Sequence, residues 1–181
     1  LRSQPLFPRL DITGEIYNNQ IDLEATLSEN KGVLGFTTYV SRNPQTNRRT
    51  LRIDISPSYI NAGNRQWRLM SKSINIDSSR VHINDFRIKS NDEELRLNGI
   101  ASANRQDTIH LELTNFDLSP LSELIAHIGY NFAAKSNGYA TLRSALRKPQ
   151  LEARINLTDI TVNGIEAPPQ LLTSDCDFAQ N

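Results

Sequence analysis

The stretch VHINDFRI, residues 81–88, decides the fold because its layout recurs twice further along the chain. Two apolar residues alternate with polar ones, two polar residues follow, and a second alternating apolar pair completes the unit. The same layout occurs in LELTNFDL at 111–118 and in INLTDITV at 155–162. Alternation with a period of two is typical of a β-strand that buries one face, so the three copies predict strands.

Each copy contains one residue more than strict alternation allows. In a regular strand the second apolar pair would lie on the opposite face. The extra residue therefore predicts either a β-bulge, which keeps one face apolar, or a tight break between two strands, and we prefer the bulge. A second recurrence, LDITG at 10–14 and LRLNG at 95–99, ends an apolar alternation on glycine, where a bend or a close backbone approach is easiest.

Most of the remaining chain follows the same strand pattern. Asn18-Asn19 separates two alternating segments and predicts a two-residue hairpin. One segment differs, because its apolar residues Leu121, Leu124, Ile125 and Ile128 recur at helical spacing behind Ser119 and Pro120. We predict one short helix near residues 120–130, ending at Gly129 or at Asn137-Gly138.

Composition excludes several classes of function. The 181 residues include 20 basic and 20 acidic side chains, so the chain lacks the positive charge that nucleic acid binding requires. The single cysteine, Cys176, excludes an internal disulfide. The histidines His82, His110 and His127 are isolated from other metal ligands and nucleophiles. We expect no catalytic residue, no metal, no cofactor and no enzymatic activity.

The length predicts one unit over residues 1–181, with a weakly patterned tail at 168–181 that we expect to fray. The chain has no apolar run of about 18 residues that could span a bilayer. It opens on LRSQP without a methionine and stops at AQN without a closing signal, so we expect a piece of a longer protein. The apolar faces fit either a closed β-sandwich or a single curved sheet with an open apolar face. In the first case, the aromatic residues Trp67, Tyr59 and Tyr139 are the stacking candidates of a carbohydrate-binding or adhesive module.

The residues around the predicted helix resemble a known family. NFDLSPL at 115–121, NGYATL at 137–142 and SALRKPQLEA at 144–153 resemble the repeats of the TamB family, within the wider AsmA-like group. Ser144 stands where that family often has its second glycine. The resemblance covers residues 81–163 best and favours the curved sheet over the sandwich.

The resemblance implies an all-β fold, in which a long, curved, mostly antiparallel sheet folds into a taco-like groove. It also implies a bridge-like, non-enzymatic segment of a periplasmic protein that is anchored to the inner membrane and contacts an outer-membrane barrel of the BamA/TamA type. The expected ligands are phospholipid acyl chains, and assembly of outer-membrane proteins remains an open alternative to lipid transport.

An aliphatic groove suits an acyl chain because each Å² of apolar surface removed from water contributes about 25 cal/mol. The low aromatic content, 7%, favours a smooth aliphatic lining over a sugar-stacking site. The predicted wall of the groove consists of Leu95, Leu97, Ile109, Leu111, Leu113, Leu142, Leu151, Ile155 and Leu157.

Overall fold

The computed structural model describes residues 10–18, 20–27, 32–42, 47–62, 65–119 and 131–177. These residues form one antiparallel sheet of 14 strands, which confirms the predicted all-β fold. The predicted helix near 120–130 lies outside the described residues. The strands are β1 Leu10–Tyr17, β2 Gln20–Leu27, β3 Gly32–Arg42, β4 Arg49–Ile55, β5 Ser58–Ala62, β6 Arg65–Met70, β7 Ser73–Ile76, β8 Arg80–Ser90, β9 Glu93–Ser102, β10 Thr108–Asp117, β11 Phe132–Arg143, β12 Gln150–Val162, β13 Ile165–Ala167 and β14 Gln170–Asp177.

Most strands pair with their neighbours in sequence. Strands β1 to β4 form a meander, and β8 to β12 form a second one. The predicted hairpin is confirmed, because Tyr17 pairs with Gln20 across the turn at Asn18. At the other edge, β12 pairs with both β13 and β14. Residues 170–177 of the tail that we expected to fray therefore form a strand along β12, and the last four residues lie outside the described part.

The three stepped copies are β-bulges, as predicted. The pairing register shifts between Ile83 and Phe86 in β8, and between Leu113 and Phe116 in β10. In the third copy, the shift lies between Thr158 and Thr161, opposite Ala133–Lys135 of β11. The second polar residue of each step has a left-handed backbone, with φ of 55° at Asp85, 44° at Asn115 and 50° at Asp159. A left-handed residue is a recurrent feature of bulges, and asparagine and aspartate tolerate it best after glycine.

An asparagine from the following strand supports each of the first two bulges. The Asn98 side-chain oxygen accepts a hydrogen bond of 3.1 Å from the Asp85 N–H, and Asn137 accepts one of 2.8 Å from the Asn115 N–H. The glycine after Asn137 has φ of 149°, and a Cβ there would lie 2.2 Å from the Arg154 carbonyl oxygen. The prediction that Asn137-Gly138 could end a helix is wrong, because this pair lies inside β11 and fits the bulge of β10.

Two interruptions divide the sheet between β3 and β8. Ser56-Pro57 separates β4 from β5, and Ser71-Lys72 separates β6 from β7. The sheet therefore follows two routes, β3–β4–β7–β8 and β3–β5–β6–β8. Ser58 Oγ stabilises the first interruption, because it accepts a bond of 2.9 Å from the Gly35 N–H and donates one of 2.7 Å to the Ser56 carbonyl. Proline at 57 cannot donate a ladder hydrogen bond, which explains the break there.

The sheet is strongly curved at one end. The ring centroids of Trp67 in β6 and Phe116 in β10 lie 5.4 Å apart, although β8 and β9 separate these two strands in the sheet. Three strand spacings in a flat sheet would amount to about 14 Å. The face that carries both rings is therefore concave. We call it the inner face, and we call the opposite, mostly polar face the outer face.

The packed core is small. Among the described residues, the buried apolar side chains are Trp67, Ala101, Leu113, Ala134, Leu157 and Ile160. Three of them, Ala134, Leu157 and Ile160, form a cluster against which Leu118, Phe132, Ile155 and Ala167 pack, and we call these seven residues the core cluster. Most other apolar side chains of the inner face are only half-buried, so the sheet leaves much of this face open.

Candidate apolar groove

The nine predicted wall residues share the inner face of four successive strands. Leu95 pairs with Leu113 and Leu97 pairs with Leu111 across β9 and β10. On the following strands, Leu142 pairs with Leu151, and Ile155 lies opposite Gly138, which itself pairs with Leu113. Residues that pair directly in an antiparallel sheet point to the same face. The register therefore brings all nine side chains together, and Leu157 lies two residues beyond Ile155 on the same side.

The aliphatic surface extends well beyond the predicted residues. One row of paired positions crosses the sheet from β1 to β12 without interruption. Nearly all of its members are aliphatic: Ile16, Ile21, Thr38, Ile53, Ile74, Ile83, Gly99, Ile109, Leu142 and Leu151. The sequence predicted the groove only in the C-terminal half, although apolar alternation around Ile53 and around Ile74 was also visible. What it lacked was the register that aligns the early strands with the later ones.

Burial divides the predicted wall into two parts. Seven of the nine side chains are half-buried, whereas Leu113 and Leu157 are buried. Leu157 belongs to the core cluster, so it contacts other parts of the protein. Five of the half-buried residues form what we call the open rows: Leu97, Ile109, Leu111, Leu142 and Leu151. These side chains remain accessible to a ligand on the concave side of the sheet.

Small residues deepen the middle of the inner face. Along the row that contains Leu97 and Leu111, the next two strands contribute Ala140 and Ala153. Gly99 lies in the row on one side of this row, and Gly138 lies in the row on the other side. Because glycine and alanine carry little or no side chain, the surface of the inner face is lower at these positions than at the neighbouring leucines and isoleucines. A linear aliphatic chain fits such a surface without needing any specific polar partner.

A cluster of aromatic and charged residues closes one end of the inner face. We call it the closed end, and it comprises Arg65, Trp67, Glu93, Phe116 and Asp117. The Arg65 guanidinium donates a hydrogen bond to Glu93 in β9 and one of 2.8 Å to Asp117 in β10. Glu93 is buried and thus depends on this pairing for compensation of its charge. Together with the Trp67–Phe116 contact, these bonds hold β6 against β10 across the concavity.

Opposing effects act on the pKa of Asp117. Burial raises the pKa of this carboxyl, but hydrogen bonds from Ser119 and the charge of Arg65 outweigh burial and lower it below its ordinary value. The Ser119 N–H donates to the carboxylate at 2.8 Å, and the Ser119 hydroxyl also donates to it. Asp117 is therefore ionised at neutral pH, which keeps the link to Arg65 intact.

The outer face is polar and carries a network of ion pairs. Asp85, the left-handed residue of the first bulge, accepts hydrogen bonds of 2.9 Å from Arg87 and 2.8 Å from Arg96. The bond from Arg87 is the main reason that the pKa of Asp85 lies below its ordinary value, and Arg96 adds to it against the effect of burial. His82 and His110 are exposed on this face, as predicted. The network links β8 with β9 and leaves the inner face apolar.

The stacking candidates of the carbohydrate-binding alternative do not form a common surface. Trp67 is buried on the inner face against Phe116. Tyr139 is 46% exposed and lies opposite Glu112 and Arg154, whereas Tyr59 lies opposite Arg68 on a distant strand. The three rings therefore cannot contact one sugar ligand together.

Within the described ranges, no three or more histidine, cysteine, aspartate or glutamate side chains come together as metal ligands. The same ranges contain no helix with the length and apolar character needed to cross a bilayer.

No family model, curated protein or solved structure matches the chain. The inner face and its residues must therefore carry the functional interpretation on their own.

Proposed function

We propose that this chain is a non-enzymatic segment of the cell envelope that binds phospholipid acyl chains along its inner face and lets them move along it. The observation that carries the proposal is the mostly aliphatic row, half-buried at most positions, that crosses the inner face from β1 to β12. Monomeric proteins rarely leave a contiguous apolar surface of this kind uncovered. An acyl chain that lies along the open rows would remove their side chains from water.

The shape of the surface favours movement over tight binding. The open rows offer leucine and isoleucine side chains with similar chemistry at every step, and no described polar side chain interrupts the row through Ile109, Leu142 and Leu151. A ligand would therefore gain about the same free energy, about 0.8 kcal/mol for each buried methylene, at many positions along the groove. Uniform binding along a path allows a ligand to slide.

The cellular setting in this proposal follows from the resemblance to TamB-like repeats. In it, the segment belongs to a periplasmic protein anchored in the inner membrane, and the full-length protein contacts an outer-membrane barrel of the BamA/TamA type. The backbone of Ser144 supports the resemblance, because its φ of 50° lies in the region that favours the glycine found there in the family. Outer-membrane protein assembly is the alternative use of the same surface.

The proposal is tested by native mass spectrometry of protein purified without detergent, with Leu111→Asp as the decisive variant. Leu111 is half-buried in the open rows, so aspartate there should abolish lipid retention and leave the fold intact. His110→Asp, at the neighbouring exposed position on the outer face, is the matched control and should retain lipid.

Two results would contradict the proposal. The first is the absence of co-purifying or added phospholipid on the unmodified chain. The second is unfolding of the Leu111→Asp variant, detected by circular dichroism, which would indicate a closed core around Leu111. Retention of an extended polypeptide in place of lipid would favour the alternative role in outer-membrane protein assembly.

A further inference from the structure

The interruption of the sheet between β4 and β5 leaves an apolar hollow that the groove does not involve. The breaks at Ser56-Pro57 and Ser71-Lys72 face each other, because Ile53 pairs with Ile74 on one side of the gap and Ser58 pairs with Leu69 on the other. The resulting cavity has a volume of about 590 Å³, which is in the range of small-molecule sites. Its walls include Ile55, Pro57, Tyr59, Arg68, Leu69 and Met70.

A basic hollow adjoins the apolar one on the outer face. It has a volume of about 400 Å³, its walls include Arg68, Lys89 and Asn91, and it shares Gln66, Arg68 and Met70 with the apolar hollow. Gln66, Arg68 and Met70 alternate with Trp67 and Leu69 along β6, so they belong to the outer face. The two hollows therefore lie on either side of the same three side chains.

The basic hollow contains two like charges, of which only one has an acidic partner among the described residues. Arg68 and Lys89 are paired directly across β6 and β8, and like charges at such positions repel each other. Within the described part of the chain, Arg68 forms no ion pair, and Lys89 reaches only Glu94, at 3.8 Å. Both side chains are exposed. An anion between them would relieve the repulsion and accept hydrogen bonds from both.

An acidic hollow lies on the side of the apolar hollow opposite to the basic one, and it determines which way a charged ligand points. It adjoins the apolar hollow through Ser56 and Pro57, and its walls include Glu15, Asp22 and Glu24. The outer face thus presents an acidic, an apolar and a basic region in this order. A negatively charged group would be repelled at the acidic end and attracted at the basic end.

We propose that this region is a binding site for a single-chain amphiphile with an anionic headgroup, such as an alkyl phosphate or a fatty acid. The headgroup lies between Arg68 and Lys89, and the aliphatic chain lies over Met70 and Pro57 in the apolar hollow. Met70 is 41% exposed and gains burial from such a chain. The headgroup site lies on the outer face, and neither hollow includes a residue of the open rows, so this site and the groove proposed above can fail independently.

The headgroup contacts are tested by titrating dodecyl phosphate, below its micelle concentration, into the Leu111→Asp variant, whose inner face is blocked. We expect binding to persist in this background and to weaken by about tenfold or more in Arg68→Gln/Lys89→Gln, because two charge-assisted bonds are lost. Arg154→Gln removes an exposed arginine from the outer face of β12 and should leave the affinity within about twofold. Isothermal titration calorimetry gives these affinities.

The apolar contacts are tested with Met70→Asp, with inorganic phosphate and with a diazirine-labelled alkyl phosphate. Inorganic phosphate should bind far more weakly than dodecyl phosphate, Met70→Asp should weaken dodecyl phosphate binding, and the photolabel should attach within residues 55–71. Equal binding of inorganic phosphate, unchanged affinity in Arg68→Gln/Lys89→Gln, or labelling confined to other strands would overturn the proposal. Absence of dodecyl phosphate binding to both the Leu111→Asp variant and the unmodified chain would also overturn it.

Discussion

The core cluster, which lies beside the closed end, and the open rows use similar apolar residues in the same alternating pattern, yet they differ in burial. Leu157 in the core cluster beside the closed end is buried, whereas Leu111 in the open rows is half-buried, although both lie on the inner face. At the closed end the sheet curls until β6 and β10 touch through Trp67 and Phe116. Sheet curvature, and not the local sequence pattern, therefore decides which leucines form core and which remain available.

The largest effect on the free energy of unfolding is expected for truncation of a leucine. Leu157→Ala should lower the free energy of unfolding by about 3 kcal/mol, because it removes a buried side chain and leaves a cavity. Leu111→Ala should cost only about 1 kcal/mol, because water already reaches this residue in the folded state. Urea unfolding followed by tryptophan fluorescence measures both values, and equal losses would show that the two regions are packed alike.

The open rows should depend more on backbone geometry than on side-chain packing. Gly138→Ala should destabilise the protein by about 2 kcal/mol, because the new Cβ would collide with the Arg154 carbonyl oxygen and φ is 149°. Gly164→Ala is the matched control, because φ there is 79° but no atom lies within 4 Å of the new Cβ. Gly164→Ala should lower the free energy of unfolding by about 1 kcal/mol, from the backbone conformation alone. The same urea titration would contradict this prediction if the control lost more stability than Gly138→Ala.

The closed end should respond to acid. A carboxyl whose pKa is lowered on folding adds stability above its ordinary pKa, about 3.9, and this stability disappears as the pH falls through the lowered value. Asp117 at the closed end and Asp85 in the outer-face network both have lowered pKa values, so stability should fall as the pH decreases from 5 to 3. Asp117→Asn should reduce the dependence of stability on pH, as measured by thermal unfolding at several pH values. Asp175→Asn, on the exposed strand β14, should leave the slope unchanged, and an equal flattening would contradict the role of Asp117.

The smallest effect is expected at the bulge between the two regions. Asn115→Gly should stabilise the protein by about 0.5 kcal/mol, because glycine adopts the left-handed backbone at φ of 44° without steric cost. Asn115→Val should instead be destabilising, because a β-branched residue resists this conformation. Thermal unfolding distinguishes the expected stabilisation by glycine from the expected destabilisation by valine. Destabilisation by glycine would mean that the Asn115 side chain, 3.4 Å from Asp92, contributes more than the backbone strain costs.

Much of the fold could be predicted from local pattern. The three bulges, the first hairpin and the shared face of Leu95, Leu111 and Leu142 all follow from counting residues between apolar positions. These features depend on periodicity within single strands and their nearest neighbours, which the sequence displays directly. The role of the inner face as a lipid path stays a prediction, because the fold shows a surface and not its ligand.

The features that sequence could not reveal depend on contacts between distant strands. Nothing near Trp67 indicates that its partner is Phe116, and the charges of Arg65 and Glu93 are separated by 28 positions. Asn137-Gly138 was misassigned to a helix end because glycine after a polar residue often terminates a helix. Here the side chain of Asn137 supports a bulge in another strand, and only the pairing register shows it.

The bulges have a consequence for the numbers of residues in the long strands. Because side chains change face at every residue, the loss of one residue from a regular strand inverts everything that follows. In β8, β10 and β12 the bulge absorbs an extra residue, so deletion of Asp85, Asn115 or Asp159 would restore strict alternation and keep Phe86, Phe116 or Ile160 on the inner face. Loss of one residue at these points replaces the bulge with a regular strand and preserves the faces, whereas loss of two residues would turn the second apolar pair to the outer face. Evolution of this sheet is thus constrained by parity as well as by side-chain chemistry.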